Sequence, residues 1–234
     1  METIIISLGG SLIVPDNIDI SFLKDFKELL EEQIKTTIDK RFVLITGGGK
    51  TARKYQEAAK QVVKLDSEGV DSEDIDWLGI HATRINAHLL RTIFKKHAFS
   101  KIIKDPTKPL TLIGEHKIVV AAGWKPSFST DYDAVLLAKN LGSKKIINLT
   151  NIDYVYDKDP NKFKDAKIIE KIFWKEFREL IPKEWSPGLN APFDPVASKE
   201  AETLGLEVAI INGKNLAAIK NCIEEKEFKG TKIS

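Results

Sequence analysis

The sequence predicts an α/β fold, with a largely parallel central sheet and helices on both of its faces. Three observations carry that prediction. Short β-branched runs alternate with longer stretches of helical apolar spacing along the chain. Those runs are apolar at consecutive positions, as strands buried on both faces are. Glycine turns follow several of them, where a buried strand hands the chain to a helix.

The elements follow in order. Thr3 to Leu8, T-I-I-I-S-L, is a buried strand by its length and branching, closed by Gly9-Gly10. After a turn containing Pro15, Asp16 and Asn17, the spacing of Phe22, Leu23, Phe26, Leu29, Leu30 and Ile34 predicts a helix capped by Ser21 or Asp19. Arg41 to Thr46 is a second strand, ending in Gly47-Gly48-Gly49, and Lys50 to about Leu65 is helical. The strongest helix runs from about Ile75 to Lys96, with an apolar stripe of Ile75, Leu78, Ala82, Ile85, Leu89 and Ile93. Further strands are predicted at Lys117–Ala121, Lys145–Leu149 and Glu207–Ile211. Helices are predicted at Asp131–Asn140, Trp174–Ile181, Pro195–Leu204 and Asn215–Cys222.

With 234 residues, 42% of them hydrophobic, the chain can bury a sizeable core, and residues 1–234 read as one domain. Its 36 basic and 34 acidic residues nearly cancel, which argues against a general nucleic-acid or membrane-surface role. Cys222 is the lone cysteine, so an intramolecular disulfide and a multi-cysteine zinc ribbon are excluded and a reducing cytoplasm is the expected home. No apolar run approaches the roughly 18 residues of a membrane span. His81, His88, His97 and His116 lack zinc-ligand spacing, and no metal ligand is assigned.

Ligands in such sheets sit beyond the carboxyl ends of the strands. Three glycine- or polar-rich segments fall there, after Leu8, Thr46 and Ala121. Gly47-Gly48-Gly49-Lys50-Thr51-Ala52 is not a P-loop, because that motif's first glycine falls at Leu44, inside the strand. It fits a dinucleotide fingerprint, but the expected acidic strand end is replaced by the loop-like stretch from Asp66 to Val70. The physics of the glycines survives both failures: backbone N–H groups of a glycine turn before a helix cradle phosphate oxygens. Gly9-Gly10-Ser11 offers a second cradle beside the first, and two such cradles suit phosphoryl transfer between two phosphorylated groups. Tight strand-to-helix turns are the plain alternative. The third loop, Ala122 to Asp131, carries more hydroxyls and aromatics than a helix cap needs, so it suits a ligand wall. Thr150 to Pro160 suits an adenine and ribose edge, or an exposed hairpin.

Taken together, G-G-S-L-I-V-P-D-N at Gly9–Asn17, T-G-G-G-K-T-A-R-K-Y at Thr46–Tyr55, D-W-L-G-I-H-A-T-R-I-N-A at Asp76–Ala87, F-S-T-D at Phe128–Asp131 and T-N-I-D-Y-V-Y-D-K-D-P at Thr150–Pro160 resemble the amino-acid-kinase superfamily. Within it the chain is similar to the archaeal uridylate kinases, over nearly its whole length. The resemblance implies a three-layer αβα sandwich and magnesium-dependent transfer of a phosphoryl group from ATP to UMP. It also implies a homohexamer built from dimers, with UMP bound by about residues 1–140 and ATP by about residues 141–234. By position, Gly10, Ser11, Gly49, Arg53, Thr150, Asn151, Tyr156 and Asp159 match ATP contacts. Gly48, Asp76, Trp124, Lys125, Pro126, Ser127, Phe128, Ser129 and Thr130 match the UMP site, with Asp76 on the ribose.

The chain departs from the family at several places. Ser7 stands where many members carry a lysine, so the charge on the transferring group falls to Arg53, Lys50 and magnesium. Ser127 replaces a glycine, Lys125 stands beside a proline that has no lysine neighbour in the archaeal enzymes, and Tyr154 replaces another glycine. Asp194, opening a helix, is expected to order the site. Other members phosphorylate carboxylate, carbamate or isoprenoid phosphate acceptors, and a non-catalytic nucleotide or oxyanion binder is the rival from another class.

Overall fold

A computed structural model of the chain describes residues 1–37, 39–63, 71–184 and 191–234. The chain enters as β1 (Glu2–Leu8), a single turn α1 (Gly10–Ile13), α2 (Ile20–Thr36), β2 (Lys40–Thr46) and α3 (Gly49–Val62). It continues through α4 (Ser72–Ile93), β3 (Ala98–Ile103), β4 (Ile118–Ala121), α5 (Thr130–Leu141) and β5 (Lys145–Thr150). Short strands β6 (Val155–Tyr156), β7 (Ile168–Ile169) and β8 (Lys171–Ile172) lead to α6 (Trp174–Leu180) and α7 (Pro195–Thr203). β9 (Glu207–Asn212), α8 (Leu216–Ile223) and β10 (Thr231–Ile233) close the chain.

The sheet has eight strands in the order β3-β4-β2-β1-β5-β9-β10-β8. Its pairs from β3 to β9 are parallel, whereas β10 runs antiparallel to β9 with β8 alongside it. Strands from the first part of the chain fill one half of the sheet and later strands the other. The boundary between β1 and β5 is the point where the strand order reverses.

Each central strand buries both faces. Ile4, Ile6, Phe42, Leu44, Ile118 and Val120 pack under α2, α4 and α8, while Ile5, Val43, Ile45 and Val119 pack under α5, α6 and α7. This is the αβα sandwich. Asp19, not Ser21, caps α2, its carboxylate accepting from Phe22 N–H at 3.0 Å.

Two expectations need correction. The buried face of α4 is Ile75, Ile80, Ala82, Thr83, Asn86, Ala87 and Leu90, whereas Ile85, which the stripe included, is 63% exposed. Small residues set that rotation: a Cβ on Gly48 would lie 3.2 Å from Gly79 O and 3.4 Å from Ala82 Cβ, so α4 lies close against the α3 turn. The helix also begins before the expected Ile75, at Ser72. Asp71 caps it, in a reciprocal capping box with Asp74, and Asp76 lies a turn further in. The end predicted for α3 at Leu65 and the stretch from Asp66 to Val70 lie outside the described residues.

Candidate active site

The glycine turns after β1 and β2 meet backbone to backbone. A Cβ on Gly10 would lie 2.0 Å from Gly49 N, and one on Gly47 would lie 2.5 Å from Gly10 N. Gly49 has φ +62°, a left-handed conformation that glycine adopts at little cost. The first amide beyond each strand is already used, Gly9 N–H on Leu149 O and Gly47 N–H on Leu8 O, both at 2.9 Å. Lys50 N–H reaches Val14 O at 3.0 Å and stitches one cradle to the other. Gly10, Ser11, Gly48 and Gly49 therefore form one continuous floor at the carboxyl ends of β1 and β2, at the switch point of the sheet.

The cations of the α3 turn divide. Lys50 pairs with Asp16 at 3.6 Å, both exposed. Arg53, one helical turn past Gly49, is exposed, and nothing holds its guanidinium among the described residues.

The loop between β4 and α5, Ala122 to Ser129, is tied down by side chains of α4 and α5. Gly123 N–H donates to Thr83 Oγ1 at 2.8 Å, Trp124 N–H to Asp133 Oδ2 at 3.0 Å and Ser127 N–H to Asp76 Oδ2 at 3.1 Å. Arg84 Nη2 donates to Trp124 O at 3.0 Å. Ser127 adopts the left-handed backbone at φ 68°, uncommon for a residue other than glycine. Trp124 and Phe128 rings stand 5.1 Å apart and Phe128 and Tyr132 5.3 Å, with Lys125 Nζ 4.2 Å from the indole centroid. Ser129 caps α5 by accepting from Tyr132 N–H at 3.1 Å. Asp76 and Trp124 through Thr130 are thus assembled as one wall beside the cradles.

Beneath that wall lies a carboxylate cluster that the sequence reading under-weighted. Asp131 Oδ1 accepts from Ser7 Oγ at 3.4 Å and its Oδ2 accepts from Asp194 N–H at 3.2 Å. Burial first, and then the Asp194 carboxylate, push the Asp131 carboxyl up to about 7. Asp194 caps α7 through Ala197 N–H at 2.7 Å, and burial raises its pKa as well. Asp133 is fully buried, and that burial lifts its carboxyl to about 7. In sequence Asp131 reads only as the end of the third loop, and nothing local marks Asp133 as different from a solvent-facing helix acid.

The remaining residues lie beyond β5. Thr150 adjoins Gly9, its Cα 3.9 Å from where a Cβ there would sit, and Asn151 is exposed next to it. Tyr156 is in β6, paired with Ile168, so this segment is a hairpin, and Asp159 holds its own turn through Asn161 N–H at 2.9 Å.

Two anion cradles in backbone contact at a sheet's switch point, walled by a tethered polar and aromatic loop, define an α/β protein of the phosphotransferase class. The chain belongs to the amino acid kinase family, whose sequence model matches residues 2–212. It is 34% identical to the uridylate kinase of Methanocorpusculum labreanum, over 99% of this chain and 95% of that one. Against the uridylate kinase of Thermoplasma volcanium it is 35% identical, covering 99% and 97%. The crystal structure of uridylate kinase from Archaeoglobus fulgidus superposes with a TM-score of 0.83 at 28% identity, over 100% of both chains.

Proposed function

We propose that this protein transfers the γ-phosphoryl group of ATP to UMP, giving UDP and ADP. The backbone contact between the Gly10 and Gly49 turns carries the reading, because it leaves two anion sites side by side with no side chain between them. The curated relatives named above are uridylate kinases, which supports UMP as the acceptor. An oxygen of the UMP phosphate, already ionised, attacks the γ-phosphorus in line, so no general base is required. The protein contributes positioning and charge: cradle amides on the phosphates, the Arg53 fork over Gly49, and Asp76 on the acceptor ribose. Thr150, Asn151, Tyr156 and Asp159 border the adenine and ribose of ATP.

Among the described residues, no group of three or more His, Cys, Asp and Glu could hold a metal ion. Magnesium keeps several waters and takes one or two carboxylates together with substrate phosphates; Asp131 and Asp194, whose carboxylates lie near enough to repel each other, are the residues that would hold it. Bound there, it would neutralise charge on the transferring group.

The outward residues of α4, including Trp77 and Ile85, support a homo-oligomer, a hexamer built as a trimer of dimers, whose mass light scattering measures. Among the described residues no helix is long and apolar enough to cross a membrane, and a cytoplasmic enzyme acting on free nucleotides is the reading we adopt. A coupled ADP-release assay across UMP, CMP, AMP, acetylglutamate and carbamate tests the function. UMP should lead, and equal turnover of AMP would refute the assignment.

A further inference from the structure

We propose that Asp133 and Arg84 are positioning residues of the acceptor loop, gripping the N–H and the C=O of Trp124 and so setting the aromatic wall against which the acceptor base stacks. The inference rests on the acceptor-site reading above.

Asp133 is the odd residue on its helix. The face of α5 turned into the core is otherwise Ala134, Val135, Leu137 and Ala138, and an apolar side chain would pack there without penalty. Instead a carboxylate is buried, with Oδ2 spent on Trp124 N–H at 3.0 Å and Oδ1 lacking a partner among the described residues. A buried polar atom without a partner is costly. The Trp124 bond is what offsets it. Arg84 repeats the pattern from the other side, with Nη2 on Trp124 O, a buried Nε without a partner among the described residues, and the guanidinium 5.5 Å from the Trp77 ring.

The residue held between them starts a ladder of rings from Trp124 through Phe128 to Tyr132, and Tyr132 adjoins Asp133 on α5. Helix α5 thus carries both the grip and the far end of the wall. With Gly123 and Ser127 also fastened, the loop is built before the acceptor arrives, which lowers the ordering cost of binding.

Hydrogen–deuterium exchange over residues 120–132 and steady-state kinetics on Asp133→Val, Asp133→Asn and Arg84→Met test this. Asp133→Val should speed exchange of the Gly123–Phe128 amides about tenfold or more while the central strands stay protected. It should also raise KM for UMP by a similar factor, with KM for ATP and kcat changing less than threefold. Asp133→Asn keeps an acceptor oxygen for Trp124 N–H and should recover most of both effects, which a simple packing role would not predict. Should Asp133→Val fail to fold, Arg84→Met is read in the same way. Unchanged exchange, or faster exchange with KM for UMP unchanged, overturns the proposal. Absence of UMP turnover by the unaltered protein refutes the proposed function instead, and the exchange measurement then decides the grip alone.

Discussion

Gly10→Ala puts the two-cradle geometry to the hardest test. The new Cβ would lie 2.0 Å from Gly49 N, 2.6 Å from Gly49 Cα and 2.7 Å from Gly47 C. All three are backbone atoms, so no rotamer change relieves the overlap. Carbon contacts settle near 3.5–4.0 Å, so the turns must part by roughly 1 Å or more. Overpacking of this kind costs about 1–3 kcal/mol of stability, and a displacement of about 1 Å between reacting groups costs on the order of 10²-fold in rate. Gly142→Ala is the control. Gly142 also has positive φ, at 66°, but nothing lies within 4 Å of its added Cβ, and it caps the far end of α5. It should lose about 1–2 kcal/mol to backbone strain while keeping its activity. Thermal melts and ADP-release kinetics on both variants separate the effects. If folded Gly10→Ala keeps kcat/KM within threefold of the parent, the cradles are not where the phosphates meet.

The remaining predictions concern single side chains. Arg53→Ala should lower kcat by about 10²-fold or more, Arg53→Lys should recover part, and Lys50→Ala, whose ammonium already pairs with Asp16, should cost far less; steady-state kinetics decide the order. Asp76→Ala should raise KM for UMP about 10- to 100-fold and leave ATP binding nearly intact in calorimetry, because it removes both a ribose acceptor and the Ser127 tether. Asp131 and Asp133 titrate near 7 when folded, against an ordinary carboxylate value near 3.8. The folded state therefore keeps protons the unfolded chain has released, and stability falls as pH rises from about 4 to 7, by up to about 1.4 kcal/mol per unit per group. Denaturant titrations of Asp133→Asn across that range should show a shallower slope.

The central strands could be read from sequence because burial on both faces leaves them continuously apolar, and the loops that follow them inherit their positions. β3 could not. At the sheet edge an exposed Ser100-Lys101 pair sits between two half-buried pairs, so A-F-S-K-I-I lacks the period-two alternation of a strand. Ile85 misled because helical spacing reports that a residue is apolar, not which partner covers it. The glycine turns, Asp76 and the 124–130 loop were recognisable as motifs. Thr83, Arg84 and Asp133 were not, because each acts on a backbone group that only tertiary folding brings near.

Ser7 ties the electrostatics of the site together. A lysine at this position would stand next to Asp131, since the Ser7 hydroxyl lies 3.4 Å from that carboxylate. With serine in its place, Asp131 keeps two hydrogen bonds but gains no counter-charge, and Asp194 adds repulsion, so its carboxyl rises to about 7. The floor of the site is thus uncharged or acidic, and the cations stand around it: Arg53 one helical turn past Gly49, Lys50 against Asp16, and Lys125 over the Trp124 ring. With no lysine at that position, positive charge on the transferring group must arrive with the substrates' own metal ion or swing in from that rim. Arg53 is the rim cation with no competing partner among the described residues, which is why the proposed function assigns the phosphates to its guanidinium.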